Sequence, residues 1–415
     1  MKAAGTIPAG YDSDNGMLHI AGQSVEQHIE TAGDTPLFVY DLARVRAQVT
    51  AFRRQMPAGV ALHYAMKANP WPPLLRAMIG MVDGIDIASA GELAIALECG
   101  AEADHISFAG PGKRDRELRA AIVAGATLNL ESEGEAERAL AIAAAERCTP
   151  RLAVRVNPDF DLRGSGMKMG GGAKPFGVDA DRAAALIRRI VAAGATYRGL
   201  HIFAGSQALD PAAIADAQRS ALALAARIGR DSGAVPPLVN LGGGFGIPYF
   251  PGERPLEIGA VGAALAASLA ARDPVLAETR FAIELGRWLV GEAGVYLTRI
   301  VDRKISHGET FLVTDGGLHH QLAASGNFGT VVRRNYPVAI ATRFGMEPAE
   351  TASVVGCLCT PLDRLADRVA LPHADVGDLV AIFMAGAYGA TASPAAFLGH
   401  PAPEQILVDA DRAQP

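Results

Sequence analysis

Lys67 stands in Tyr64-Ala65-Met66-Lys67-Ala68-Asn69-Pro70, where an apolar strand gives out and a helix is about to start. An amine there is either an ordinary surface charge, the usual state of lysine, or a nucleophile. With Tyr64, Ala65, Met66 and Ala68 around it the amine would be partly desolvated. Desolvation favours the neutral form and suits it to make a Schiff base with an aldehyde. A second candidate is Glu284, which ends the apolar run Phe281-Ala282-Ile283. Glutamate is rarely buried unless paired, and a ring N–H would serve as its partner. A third is Gly242-Gly243-Gly244, followed by Phe245-Gly246. Such a run is either a tight turn or a set of backbone N–H groups that cradle phosphate, to which Ser206 and Arg287 would add donors.

These residues are far apart in the chain, so a fold must gather them. The 415 residues exceed what one hydrophobic core serves, about 250–300, and point to two domains. Half of the residues are hydrophobic, and 38 Lys+Arg against 44 Asp+Glu give a net charge of −6. With no basic run or basic-aromatic stripe, nucleic acid is not the expected partner and small-molecule chemistry is. Cys99, Cys148, Cys357 and Cys359 are too few for a disulfide framework and lack the second Cys pair of a zinc site. No signal-length apolar stretch precedes Tyr11, and no window reaches the ~18 uninterrupted apolar residues of a membrane span. A cytoplasmic protein is therefore expected.

From Leu37 short apolar strands alternate with Ala-, Leu- and Arg-rich helices, the pattern of βα units. The strands expected are Ala61–Ala65, Gly84–Ile87, His105–Phe108, Thr127–Leu130, Leu152–Val156, Gly199–Phe203, Leu238–Leu241 and Phe281–Glu284. Eight such strands close most simply into a (β/α)8 barrel over residues 37–287; an open doubly wound sheet is the competing closure. After Arg287 the pattern changes to strands without long helices: Trp288–Val301, Phe311–Thr314, Val338–Ala341, Ser353–Val355 and Leu379–Phe383. Residues 288–415 thus read as a β domain, which also takes in the irregular arm 1–36, with a frayed tail from Pro401.

In a barrel the reactive groups collect at the C-terminal strand ends. Lys67 follows the first strand and Asp86 lies on the second. Arg155 and Asn157 end the fifth, and His201, Phe203 and Ser206 the sixth. Gly242, Gly243 and Gly244 follow the seventh, and Glu284 with Arg287 the eighth. An amine nucleophile, a phosphate cradle and a buried carboxylate for a ring nitrogen are together the parts of a pyridoxal phosphate site.

The motifs HYAMKANP, DIASAGEL, VRVNP, GLHIFAGSQ, LGGGFGIPY, ELGR, GCLCTPLD and GAYGAT occur in this order. As a set they resemble the fold-type III pyridoxal-phosphate decarboxylases, the group of diaminopimelate and ornithine decarboxylases, from about Leu37 to Thr391. The resemblance implies an alanine-racemase-like barrel with a β domain, and Lys67 as the residue that binds the cofactor covalently. It further implies that Glu284 pairs with the pyridine nitrogen, and that Ser206, the three glycines, Arg287 and Tyr388 hold the phosphate. Family members are head-to-tail homodimers whose sites are completed by the partner's β domain through the Cys359 and Tyr388 segments, with Cys359 the proton donor.

Three departures bear on the substrate. The family's sixth-strand motif reads His-x-Gly-Ser; here Phe203 takes the place of that stacking histidine and His201 lies two residues earlier, on the same strand face. Phe203 is expected to stack, with His201 a core histidine or a supporting donor. After Cys359, where relatives carry a carboxylate that reads the substrate's distal amine, stands Thr360. The Arg-containing segment that binds diaminopimelate is replaced by Asp315–Gly329, including His319, His320 and Asn327. That stretch resembles a branch acting on a glutamyl group carried by an acyl carrier protein, a substrate that needs no distal charge reader. Arg287, Thr360, His319, Asn327 and Tyr388 are the expected substrate contacts, His319 and His320 being either pocket groups or solvent-facing loop histidines. No metal site is expected from two adjacent histidines without a carboxylate at ligand spacing. The expectation is decarboxylation of an amino acid or a carrier-bound aminoacyl group, with meso-diaminopimelate decarboxylation as the alternative and a non-catalytic regulatory homologue as a third.

Overall fold

Ser89, Ser132 and Asp210 each turn a side-chain oxygen onto a free N–H of the helix that follows, so three strand-to-helix turns are fixed by local chemistry. The helices so started alternate with strands that are buried along almost their whole length, as strands covered on both faces are. The computed structural model describes residues 1–326 and 334–409, the side chain of Lys168 excepted. It divides into two units, one of Val49–Ile247 and Pro255–Gly286, the other of Met1–Gln48, Pro248–Arg254 and Arg287–Pro415.

The first unit is the expected barrel. Its strands are β1 (Val60–Ala65), β2 (Gly84–Ile87), β3 (Ile106–Phe108), β4 (Thr127–Leu130), β5 (Arg151–Asn157), β6 (Thr196–Ile202), β7 (Leu238–Gly243) and β8 (Arg280–Leu285). Each pairs in parallel with the next, and β8 pairs with β1, so the sheet has no open edge. Helices Pro72–Ile79, Ala90–Glu98, Asp115–Ala124, Glu133–Glu146, Ala183–Ala192, Pro211–Ser232 and Ile258–Ala270 fall between the strands. Among the described residues no helix is long and apolar enough to cross a membrane.

In the second unit the long strand Gly294–Ser306 pairs with Glu309–Thr314 and Leu379–Ile382. Glu350–Val355 and Arg364–Leu371 extend the sheet on one side and Val338–Ile340 on the other. Three expectations change. The strand placed at Trp288–Val301 begins only at Gly294, because Arg287–Val290 makes a helical turn. Leu37–Asp41, assigned above to the barrel, pairs antiparallel with Gly294–Leu297 and so belongs to this sheet. Glu404–Val408, read as a frayed tail, pairs in parallel with Leu37–Asp41; Ile406, Leu407 and Val408 supply the apolar side chains that make it a strand.

Candidate active site

The barrel encloses a cavity of about 310 Å³, at the lower end of the range that holds small ligands. Lys67, Asp86, Arg155, His201, Phe203 and Glu284 line it together. They come from β1, β2, β5, β6 and β8 or the residues just after them, so the strand-end rule gathered six of the expected residues.

Lys67 is carried on the tight turn Met66–Ala68 that follows β1. Tyr64, Met66 and Ala68 are buried, and the Tyr64 hydroxyl donates to the Asn69 carbonyl at 2.8 Å, which fixes the turn. The Lys67 side chain itself is 46 % exposed and reaches into the cavity, its Nζ 3.8 Å from Glu284 Oε1. The amine is thus half-desolvated and faces the buried Glu284 carboxylate.

Glu284 is buried near the end of β8 and takes a hydrogen bond from His201 Nε2 at 2.9 Å. Burial alone would raise its pKa. The His201 hydrogen bond, then the charge of Lys67, outweigh burial and hold the carboxyl well below its ordinary range. The cavity therefore keeps a fixed negative charge at neutral pH. His201 spends Nε2 on Glu284, while its Nδ1 is buried without a hydrogen-bond partner. Phe203 lines the same wall, its ring 6.3 Å from that of His201 and 5.6 Å from Lys67 Nζ, centroid distances.

A second tier of charge lies around these residues. Arg155 donates to Glu131 at 2.7 Å, and Glu131 also accepts the Gly177 N–H at 3.0 Å. Next to it Lys113, another cavity residue, is buried against Glu135 at 2.7 Å. Asp86 meets His63 Nδ1 at 3.3 Å. Burial works against a charged His63 ring, but the Asp86 carboxylate outweighs it and raises the pKa. None of His63, Lys113, Glu131 or Glu135 was singled out from sequence. Glu131 follows β4 directly, so the strand-end rule could have found it; Lys113 precedes a helix and looks like a surface residue.

Ser206 and Gly242 to Gly244 do not line this cavity. The glycines have a packing role of their own at the barrel rim. A Cβ on Gly243 would lie 2.0 Å from the Glu284 carbonyl oxygen, and one on Gly242, whose φ is +68°, 2.8 Å from that of Ile202. Only glycine lets the ends of β6, β7 and β8 approach so closely.

Asn157 does not line the cavity and donates to the Gly172 carbonyl at 3.0 Å, while Arg287, Tyr388, Cys359, Thr360, His319 and His320 belong to the second unit. Arg287 donates to the Tyr249 hydroxyl at 3.1 Å and its guanidinium lies 4.7 Å from the Tyr388 ring centroid. Cys359 is exposed and Thr360 half-buried on the loop after Glu350–Val355. That loop is tied to the segment following Thr314 by Asp363, which accepts the Leu318 N–H at 2.7 Å and the Leu358 N–H at 2.9 Å. His319 and His320 are both buried, so the solvent-facing alternative does not hold. His320 Nε2 donates to the Pro401 carbonyl at 2.9 Å, leaving Nδ1 to accept from Tyr296 at 3.1 Å. His319 has no exposed surface in the chain, so it is not an open substrate contact there. Asn327 lies outside the described residues.

The family model for the pyridoxal binding domain of pyridoxal-dependent decarboxylases matches residues 42–291. The L-glutamyl-[BtrI acyl-carrier protein] decarboxylase of Niallia circulans is 36% identical over 90% of this chain and 89% of its own length. A diaminopimelate decarboxylase of Methanothermobacter thermautotrophicus is 31% identical over 95% of this chain and 91% of its own. The crystal structure of diaminopimelate decarboxylase from M. jannaschii with L-lysine superposes with a TM-score of 0.86 at 23% identity, covering 97% of this chain and 93% of that one.

Proposed function

Because the chain belongs to the family of pyridoxal-dependent decarboxylases, we propose that it removes the α-carboxylate of an aminoacyl group whose far end is held on an acyl carrier protein. The cofactor is pyridoxal phosphate, and the residues present fit it. The cavity offers a half-exposed amine at Lys67, a buried anionic carboxylate at Glu284 and an unpartnered His201 Nδ1. When bound, pyridoxal phosphate supplies the electron sink that lets the Cα carboxylate leave as carbon dioxide.

The chain's own side chains divide the remaining work. Lys67 would hold the cofactor through Nζ. The negative charge of Glu284 would favour a proton on the cofactor's ring nitrogen, and His201 holds the Glu284 carboxylate in position. Phe203 offers a flat apolar face, and Asp86 and Arg155 complete the polar wall. Ser206, Gly242, Gly243 and Gly244 are proposed for the phosphate, with Arg287 and Tyr388 added on family resemblance. In a homodimer, Cys359 of the second subunit returns a proton to Cα; its exposure in the single chain is consistent with serving another copy. Thr360, and Asn327 outside the described residues, are retained as substrate contacts.

The observation that carries decarboxylation is the Lys67–Glu284–His201 arrangement inside one cavity. The carrier-bound substrate is supported by the neutral Thr360 after Cys359 and by the relative that acts on an L-glutamyl carrier protein. Carbon dioxide release is to be measured with glutamyl-loaded acyl carrier protein, free L-glutamate and meso-diaminopimelate. Turnover of the carrier-bound substrate alone is the expected result. Faster release from meso-diaminopimelate would replace this substrate by that of the diaminopimelate decarboxylases.

A further inference from the structure

Outside the proposed active site, the second unit holds a cluster that nothing in decarboxylation uses. His319 has no exposed surface, yet neither of its ring nitrogens has a hydrogen-bond partner. A buried imidazole with both nitrogens unsatisfied is rare, since each unmade bond costs about 1–3 kcal/mol. Its neighbours explain the anomaly. Cys357 Sγ lies 3.8 Å from His400 Nδ1 and 3.9 Å from its Nε2, and one ligand atom from each of His319, Cys357 and His400 falls within 4.8 Å of the other two.

We infer that His319, Cys357 and His400 form a binding site for one thiophilic divalent ion, zinc. Two imidazoles and one thiolate are a nitrogen-sulfur set that zinc takes in tetrahedral sites. With Zn–S about 2.3 Å and Zn–N about 2.0–2.1 Å, tetrahedral ligand atoms stand about 3.4–3.6 Å apart. The Cys357–His400 pair is already near that spacing, and a His319 ring nitrogen lies within 4.8 Å of both. Cys357 and His400 are half-buried, so an ion has a way in from solvent, and the fourth position is left for water. The S–Zn bond forms as the Cys357 thiol proton leaves to solvent, with no change of oxidation state. The ligands come from three separate segments, so neither the adjacent histidines nor the cysteine count revealed the site. A bound ion would staple the segments at His319 and His400 to the loop that carries Cys357, Cys359 and Thr360.

The test uses the cofactor-loaded, full-length protein, incubated with zinc and dialysed against metal-free buffer. Metal content by mass spectrometry should be near one zinc per chain, and zinc-edge X-ray absorption should show a single sulfur scatterer at about 2.3 Å beside nitrogen. In Cys357→Ser and in His400→Gln the content should fall at least tenfold with circular dichroism unchanged, while Cys359→Ser keeps it. His400→Gln lies at the surface of the unit, which separates metal loss from misfolding. A wild-type content under a tenth of one zinc, no sulfur scatterer, or equal content in the wild type, Cys357→Ser and His400→Gln would each overturn the site.

Discussion

Replacing His201 by Phe keeps a ring of similar size in β6 and removes the 2.9 Å hydrogen bond that Glu284 receives. Glu284 is 6% exposed, and besides His201 the charge of Lys67, 3.8 Å away and half in solvent, and that of Arg155 act on it. A hydrogen bond to a charged group contributes about 1.5–3 kcal/mol, and a buried charge left short of a donor sits at the upper end of that range. The cofactor-free variant should therefore open locally about 2–3 kcal/mol more easily at pH 7, a factor of about 30–150 in the opening equilibrium. The pH dependence has a definite sign. Glu284 is depressed in the folded chain, so its contribution is present above the ordinary carboxylate pKa of about 4.3 and lost as pH falls through the folded value. Hydrogen exchange of β6 and β8 peptides, corrected for intrinsic rates, measures the opening at pH 7, 5 and 3.5. The variant should exchange about 30–150 times faster at pH 7, with the gap narrowing below about pH 4, and His201→Gln, which restores a donor, should recover most of the loss. Equal exchange in wild type and variant at pH 7, or a gap that widens on acidification, would refute the reasoning.

Gly243→Ala should lose several kcal/mol of barrel stability and most cofactor affinity, because its Cβ would stand 2.0 Å from the Glu284 carbonyl oxygen; thermal unfolding and a pyridoxal phosphate titration check it. Asp363→Ala removes the acceptor of two backbone N–H groups and should destabilise the second unit by about 2–4 kcal/mol, read by urea unfolding. Cys359→Ser should cut kcat by about 10²–10⁴ with KM little changed if the thiol is the proton donor. Mixing Lys67→Ala with Cys359→Ser should restore about one quarter of wild-type activity if sites are shared across a two-fold dimer; no restoration would argue against a shared site.

The barrel was legible because its strands are short apolar runs that end in residues rarely found at strand ends by chance. Lys67, Asp86, Arg155, His201, Phe203 and Glu284 meet in one cavity for that reason. What remained hidden depends on pairing that sequence does not display. Leu37–Asp41 has the same apolar composition as a barrel strand, and only its partners, Gly294–Leu297 and Glu404–Val408, place it in the other sheet. Lys113 and Glu135 read as helix-start surface charges, yet each is buried because the other neutralises it. Asp363 looks like a turn residue, and Gly317 and Gly356 leave the space its carboxylate occupies. Lys113, Glu135 and Asp363 stand away from the C-terminal strand ends, and the partners that bury them lie elsewhere in the chain, so a reading by period and strand end does not reach them.

The central claim is that Lys67, among the lysines of the chain, is the one that carries the cofactor. Borohydride reduction of the pyridoxal-phosphate-loaded enzyme, followed by proteolysis and mass mapping, tests it in one step. A phosphopyridoxyl group on the Lys67 peptide, and its absence there in Lys67→Ala, is the predicted result. Modification of Lys113, which lines the same cavity, or of no cavity lysine, would contradict it.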